Sequence, residues 1–133
     1  MKFRYLQDGD YENILIGWWE DNNWTAPAKD SLPDNGNGGV MITKDGVDIC
    51  AGFLYKTNSS MAWCEYIIAD KKYRKSDRGE AIEMLINVLS KIAKEEGFRL
   101  VFTTVKHPVL RQRYKKCGFL LDPKPSTEMV KIL

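Results

Sequence analysis

The run KYRKSDRGEAIEML, residues 72–85, joins a basic polar loop to a stretch whose apolar residues recur at helical spacing. Lys71, Lys72, Arg74, Lys75 and Arg78 put five cations within eight residues, just before Gly79 and Ala81. The first turn of a helix has unpaired N–H groups and the positive end of the peptide dipole, so small residues there let an anion approach. The chemistry indicated is phosphate binding, with enough local positive charge to balance several phosphate oxygens. The same residues also fit a self-capped helix, with Ser76 or Asp77 as cap, Glu80 complementing the dipole and the lysines merely solvated. A Rossmann fingerprint and a P-loop are both ruled out, because neither GxGxxG nor GKS/T occurs here.

Two further residues could move protons. Glu65 lies within the otherwise apolar run MAWCEYIIAD, where a carboxylate must face solvent, a partner or a cleft; in a cleft it would be a base. An ordinary edge or surface glutamate fits the same pattern. His107 is the only histidine, the residue type best suited to proton transfer near neutrality, although its place before Pro108 equally fits a helix cap.

These residues need elements to hold them. Lys2 to Leu6 reads as a short strand, followed by a helix capped by Asp8 or Asp10 with Tyr11, Ile14, Leu15, Trp18 and Trp19 on one face. Residues 21–39 form a long loop rich in Asn, Pro and Gly, with room for a short helical turn. Val40–Thr43 and Val47–Tyr55 read as strands around an Asp45-Gly46 hairpin turn, and Met61–Ala69 as a third strand of a meander. A helix with Ala81, Ile82, Leu85, Val88, Leu89 and Ile92 on one stripe stops at Gly97. Phe98–Val105 is β-rich, a helix runs from Pro108 to Lys116, and Phe119–Leu121 and Met129–Leu133 are expected as closing strands. The order β-α-β-β-β-α-β-α-β(β) is an α+β fold, a mixed, mostly antiparallel sheet covered by helices, in one domain spanning residues 1–133.

With 20 basic and 18 acidic residues the net charge is only +2, which argues against a polycation that coats nucleic acid or membranes. No segment reaches the roughly 20 apolar residues of a membrane span, and no signal core opens the chain, so a cytoplasmic location is expected. Cys50, Cys64 and Cys117 are odd in number and widely spaced, without histidine partners at zinc spacing; neither a disulfide framework nor a metal site is implied.

The order of elements, the loop YRKSDRGEA opening a long helix, and the later run YKKCGF together resemble the GNAT superfamily of acyl-CoA-dependent N-acetyltransferases. The similarity spans nearly the whole chain. The family has a [Gln/Arg]-x-x-Gly-x-[Gly/Ala] loop around the CoA pyrophosphate and a Tyr-x-x-x-Gly-Phe helix end whose tyrosine protonates the departing thiolate. Gly79 and Ala81 match the small positions, and Tyr114, Gly118 and Phe119 match the later motif. The resemblance thus implies acetyl-CoA, or another acyl-CoA, held by Arg74 to Ala81, that is Arg74, Lys75, Ser76, Asp77, Arg78, Gly79, Glu80 and Ala81. It implies further contacts from the backbone of Ile67, Ile68, Ala69 and Asp70 and from His107. Tyr114 is the implied acid, Glu65 a candidate base, and Trp19 and Trp24 would frame the amine. Ser76 departs from the usual Gln or Arg, two residues are inserted ahead of the small-residue pattern, and Arg113 replaces an apolar neighbour of the tyrosine. The segment LPDNGNGG and the hairpin after it also resemble small GNAT-like proteins of bacteriophages, which would put the protein in a host cytoplasm.

The reaction implied is N-acylation, most simply N-acetylation, of a primary amine on a small molecule or protein, with a homodimer among the allowed assemblies. A noncatalytic GNAT-like binding protein fits the altered loop. A nucleic-acid base modifier is poorly supported, since only Tyr73 and Tyr114 interleave the basic stretches.

Overall fold

The computed structural model describes residues 1–133. Five strands, β1 (Lys2–Tyr5), β2 (Gly39–Lys44), β3 (Val47–Lys56), β4 (Met61–Ala69) and β5 (Leu100–Phe102), form one sheet in the order β1-β2-β3-β4-β5. The first four are antiparallel, and β5 runs parallel to β4. The turn between β2 and β3 has Asp45 at φ 52° and Gly46 at φ 76°, the left-handed pair that this Asp-Gly sequence favours.

Strand alternation divides the core in two. Val40 and Ile42 on β2, Cys50 and Leu54 on β3 and Cys64 on β4 face α2 (Arg78–Glu95), which answers with Ala81, Leu85, Ile86 and Leu89. Tyr114 of α3 (Pro108–Lys116) completes that layer. Met41, Ala51, Phe53 and Ile68 point the other way, onto Leu15, Trp18 and Trp19. Those last residues belong to a π-helical turn, Tyr11–Leu15, that continues into α1 (Ile16–Asp21). Helices therefore lie on both faces of the sheet, as expected. No helix is long and apolar enough to cross a membrane.

One irregularity matters for the site. Ala51 pairs with Ile68 and Phe53 with Glu65, so β4 carries one more residue than β3 across this interval. The excess is taken up at Tyr66, which adopts a left-handed φ of 57°. This bulge resets the alternation, so Glu65 and Ile68, three residues apart, both face the α1 side.

Three expectations are corrected. Neither Phe119–Leu121 nor Met129–Leu133 forms a strand; Leu120, Met129, Val130, Ile132 and Leu133 are almost fully exposed. A β-prone segment needs a paired neighbour and a buried face, and this tail has neither, being tied near β5 by Lys106–Glu128 at 3.4 Å. The β-rich run 98–105 contracts to the three residues of β5. Asp10 does not cap the first helix: its carboxylate accepts from the Gln7 N–H at 2.8 Å and pairs with Arg4.

Candidate active site

Strands β4 and β5 pair only at Met61↔Leu100, Ala62↔Val101 and Trp63↔Phe102. Beyond Trp63 the edge of β4 has no β5 partner, and the sheet opens. At the opening the pleat sends consecutive residues to opposite faces. Toward α2, the Tyr114 hydroxyl meets the Cys64 Sγ at 3.3 Å and accepts from the Thr103 hydroxyl at 3.4 Å. Toward α1, Glu65 Oε2 accepts from the Trp63 indole N–H at 2.8 Å and from the Thr104 hydroxyl at 2.9 Å. A phenol and a carboxylate thus stand on the two sides of one gap, each steadied by one of two neighbouring threonines.

Burial decides the protonation of the phenol. Tyr114 is 3% exposed, and burial, reinforced by adjacent Cys64, pushes its phenol far above the usual range, so it stays protonated. Burial likewise pushes the Cys64 thiol up to about 12, making it a neutral hydrogen-bond partner rather than a thiolate. Glu65 is paired with no lysine or arginine, and its Oε1 has no hydrogen-bond partner in the protein.

The start of α2 lies on the same side of the sheet as Tyr114. Neither Ser76 nor Asp77 caps it. Asp77 is instead engaged by the Lys44 ammonium and, at 2.9 Å, by the Tyr73 hydroxyl, and these two hold its carboxyl below the usual range. The N–H groups of Gly79 and Glu80 are left without a partner. A Cβ on Gly79 would run into the guanidinium of Arg113, which reaches across from α3 and pairs with Glu83 at 3.4 Å. The φ of Gly79 is not left-handed, and what crowds the position is the end of the flexible Arg113 side chain, which must shift to admit a larger residue.

The remaining candidates divide clearly. Arg74, Lys75 and Ser76 are exposed, with the Lys75 ammonium 5.8 Å from the Tyr73 ring centroid, while Arg78 and Asp77 are half-buried and Glu80 is exposed. Lys72, Arg74 and Arg78 form no ion pair with any carboxylate. Ala81 is fully buried and packs into the core. Ile67 and Ala69 point toward α2 and Ile68 toward α1. The Asp70 N–H is committed to the Ile49 carbonyl at 2.8 Å, and its carboxylate accepts from the Lys72 N–H at 2.9 Å. His107 is the N-cap of α3, its Nδ1 accepting from the Val109 N–H at 3.2 Å. Trp19, 2% exposed, lies in the α1 core with its ring beside Tyr11, whereas Trp24 is 49% exposed. No group of three or more His, Cys, Asp or Glu is placed to hold a metal.

Sequence reasoning missed Thr103, Thr104 and Trp63. The TT doublet between a β-rich run and the tyrosine helix is the signal that would have found the first two.

No family model and no curated protein sequence matches the chain. Solved structures do. Glucosamine-6-phosphate N-acetyltransferase from Arabidopsis thaliana superposes with TM-score 0.64 at 17% identity, over 98% of this chain and 97% of that one. An aminoglycoside N-acetyltransferase solved in complex with CoA gives TM-score 0.64 at 13% identity, over 99% and 100%. A transcriptional regulator from Bacillus halodurans gives TM-score 0.65 at 15% identity, over 99% and 98%. At such identities the likeness concerns architecture alone. The chain has the GNAT fold.

Proposed function

We propose that the chain is an acyl-CoA-dependent N-acyltransferase that moves an acetyl group from acetyl-CoA to a primary amine. The observation that carries this reading is the gap between β4 and β5, flanked by a protonated phenol on one face and an unpaired carboxylate oxygen on the other. Amine acylation from a thioester needs a proton acceptor where the amine enters and a proton donor where the sulfur leaves. Tyr114 and Glu65 meet those needs from opposite sides.

The residues present fit a diphosphate-bearing thioester. The unpartnered N–H groups of Gly79 and Glu80 and the unpaired cations Lys72, Arg74 and Arg78 suit its phosphates. The open edge of β4 past Trp63 suits its amide arm. Bound acetyl-CoA supplies an activated acyl group. Glu65 Oε1 takes the proton of the entering amine, and the Tyr114 hydroxyl gives its proton to the departing sulfur, with Thr103 keeping the phenol oriented. The free thiols Cys50, Cys64 and Cys117 fit a reducing compartment such as the cytoplasm.

Isothermal calorimetry with coenzyme A and acetyl-CoA, paired with thiol release across a panel of amines, tests this reading. Saturable heat and amine-dependent thiol release are expected; no heat at millimolar ligand defeats it. A second reading rests on the Arg113 guanidinium over Gly79, which narrows the helix start, and treats the chain as a noncatalytic binding protein of the same fold. Stabilisation by coenzyme A with no turnover on any amine would favour it.

A further inference from the structure

On the α1 side of the sheet, the helix covers β4 at Ile68, and toward β5 a row of aromatic residues is left partly open to solvent. Trp63 and Phe102 pack with centroids 4.4 Å apart at 44°, and Tyr55 and Tyr66 lie 6.4 Å apart at 49°. Phe102 is 44% and Tyr66 39% exposed, whereas Trp18, Trp19 and Phe53 on the same side are buried. Glu65 stands among these rings. Its Oε2 is fixed by Trp63 and Thr104, while Oε1 is free and no cation neutralises the charge.

Resting on the acyltransferase reading, we propose that this face is the acceptor site and that it selects an amine carried on a flat apolar body, such as an arylalkylamine, over a polyhydroxylated amine. Two observations support the class. An ammonium is attracted both to a carboxylate and to ring faces, so the surface complements a cation that has an apolar stem. The polar groups of the face are mostly already used: the Trp63 N–H and the Thr104 hydroxyl serve Glu65, and the Tyr55 hydroxyl donates to the Ser31 carbonyl at 2.8 Å. Only the Glu65 Oε1 and the Tyr66 hydroxyl remain to meet a ligand's polar groups. A sugar amine would lose the hydration of many hydroxyls against rings that return no hydrogen bonds.

The probe pair is phenethylamine against glucosamine, with 2-phenylethanol as the uncharged control, titrated into the full chain with and without coenzyme A. The readouts are calorimetry and the NMR shift of the Trp63 indole N–H, which donates to Glu65. Phenethylamine is expected to bind at least tenfold more tightly than glucosamine and to move the indole resonance. Phe102→Ala, an exposed edge-strand change, should weaken phenethylamine about tenfold with coenzyme A affinity unchanged. Glu65→Gln should abolish the preference for phenethylamine over 2-phenylethanol. Equal binding of the two amines, or a Phe102→Ala protein that binds phenethylamine like the parent, overturns the proposal. The two readings fail separately. Turnover of glucosamine but not phenethylamine defeats the acceptor class and leaves the acyltransferase standing; phenethylamine binding without any coenzyme A binding leaves an amine site and removes the acyltransferase.

Discussion

The Tyr114 phenol is the residue on which the chemistry is most exposed to test. Tyr114→Phe deletes one hydroxyl whose partners are a thiol and a threonine, both able to tolerate its loss. Turnover should fall roughly 10²-fold or more, in line with losing a positioned acid, while coenzyme A affinity stays within about twofold. Steady-state kinetics and calorimetry on the one variant check both halves, and unchanged turnover removes the phenol from the mechanism. Tyr114 was legible because it sits in a short recognisable run, and Glu65 because a charge inside an apolar strand demands an explanation. What no local pattern carries is partnership. Thr104 finds Glu65 across thirty-nine positions and Cys64 finds Tyr114 across fifty, so the sequence names the actors without showing who steadies whom. Trp19 illustrates the converse: its type suggested an acceptor wall, yet its helical phase with Leu15 puts it in the core.

At the scale of elements, the start of α2 depends on α3. Arg113 lies over Gly79, so adding a side chain there pushes on a guanidinium that is itself tied to Glu83. Gly79→Glu should weaken coenzyme A binding at least tenfold through crowding and added negative charge at a helix N-terminus, read by calorimetry against an unchanged fold by circular dichroism. Equal affinity would contradict a phosphate site at this turn. The meander and the two long helices follow from alternation, turn residues and apolar stripes that are local in sequence. The closing strands did not follow, because residues 119–133 have strand-forming side chains but no edge that pairs with them in the single chain. The bulge at Tyr66 was hidden for a related reason: only the register against β3 reveals that β4 holds an extra residue.

The molecule as a whole should respond to alkali in a defined direction. Burial raises the thiols of Cys50 and Cys64 from an ordinary value of 9.0 to about 12. Above pH 9 the unfolded chain sheds two protons that the native protein keeps, so stability falls as pH rises, by up to about 1.4 kcal/mol per pH unit for each thiol. Below pH 9 these groups contribute no slope, and the loss levels off above pH 12. Urea midpoints measured at pH 7.5 and 10.5 should differ, and Cys50→Ala should reduce the difference while Cys64 keeps its share; identical midpoints would mean that the thiols are not shielded. The division of labour across the gap has a different root. It follows strand parity at Cys64 and Glu65, neighbours on β4 sent to opposite sides, while Thr103 and Thr104, just past the end of β5, part to the same two sides. Excising Thr103 while α3 keeps its place would therefore bring Thr104 toward the phenol and Val105 toward the carboxylate. A frame-preserving loss of one residue would in this way take from the Glu65 carboxylate one of its two donors, leaving the Trp63 indole, while Glu65 and Tyr114 both remained in the chain.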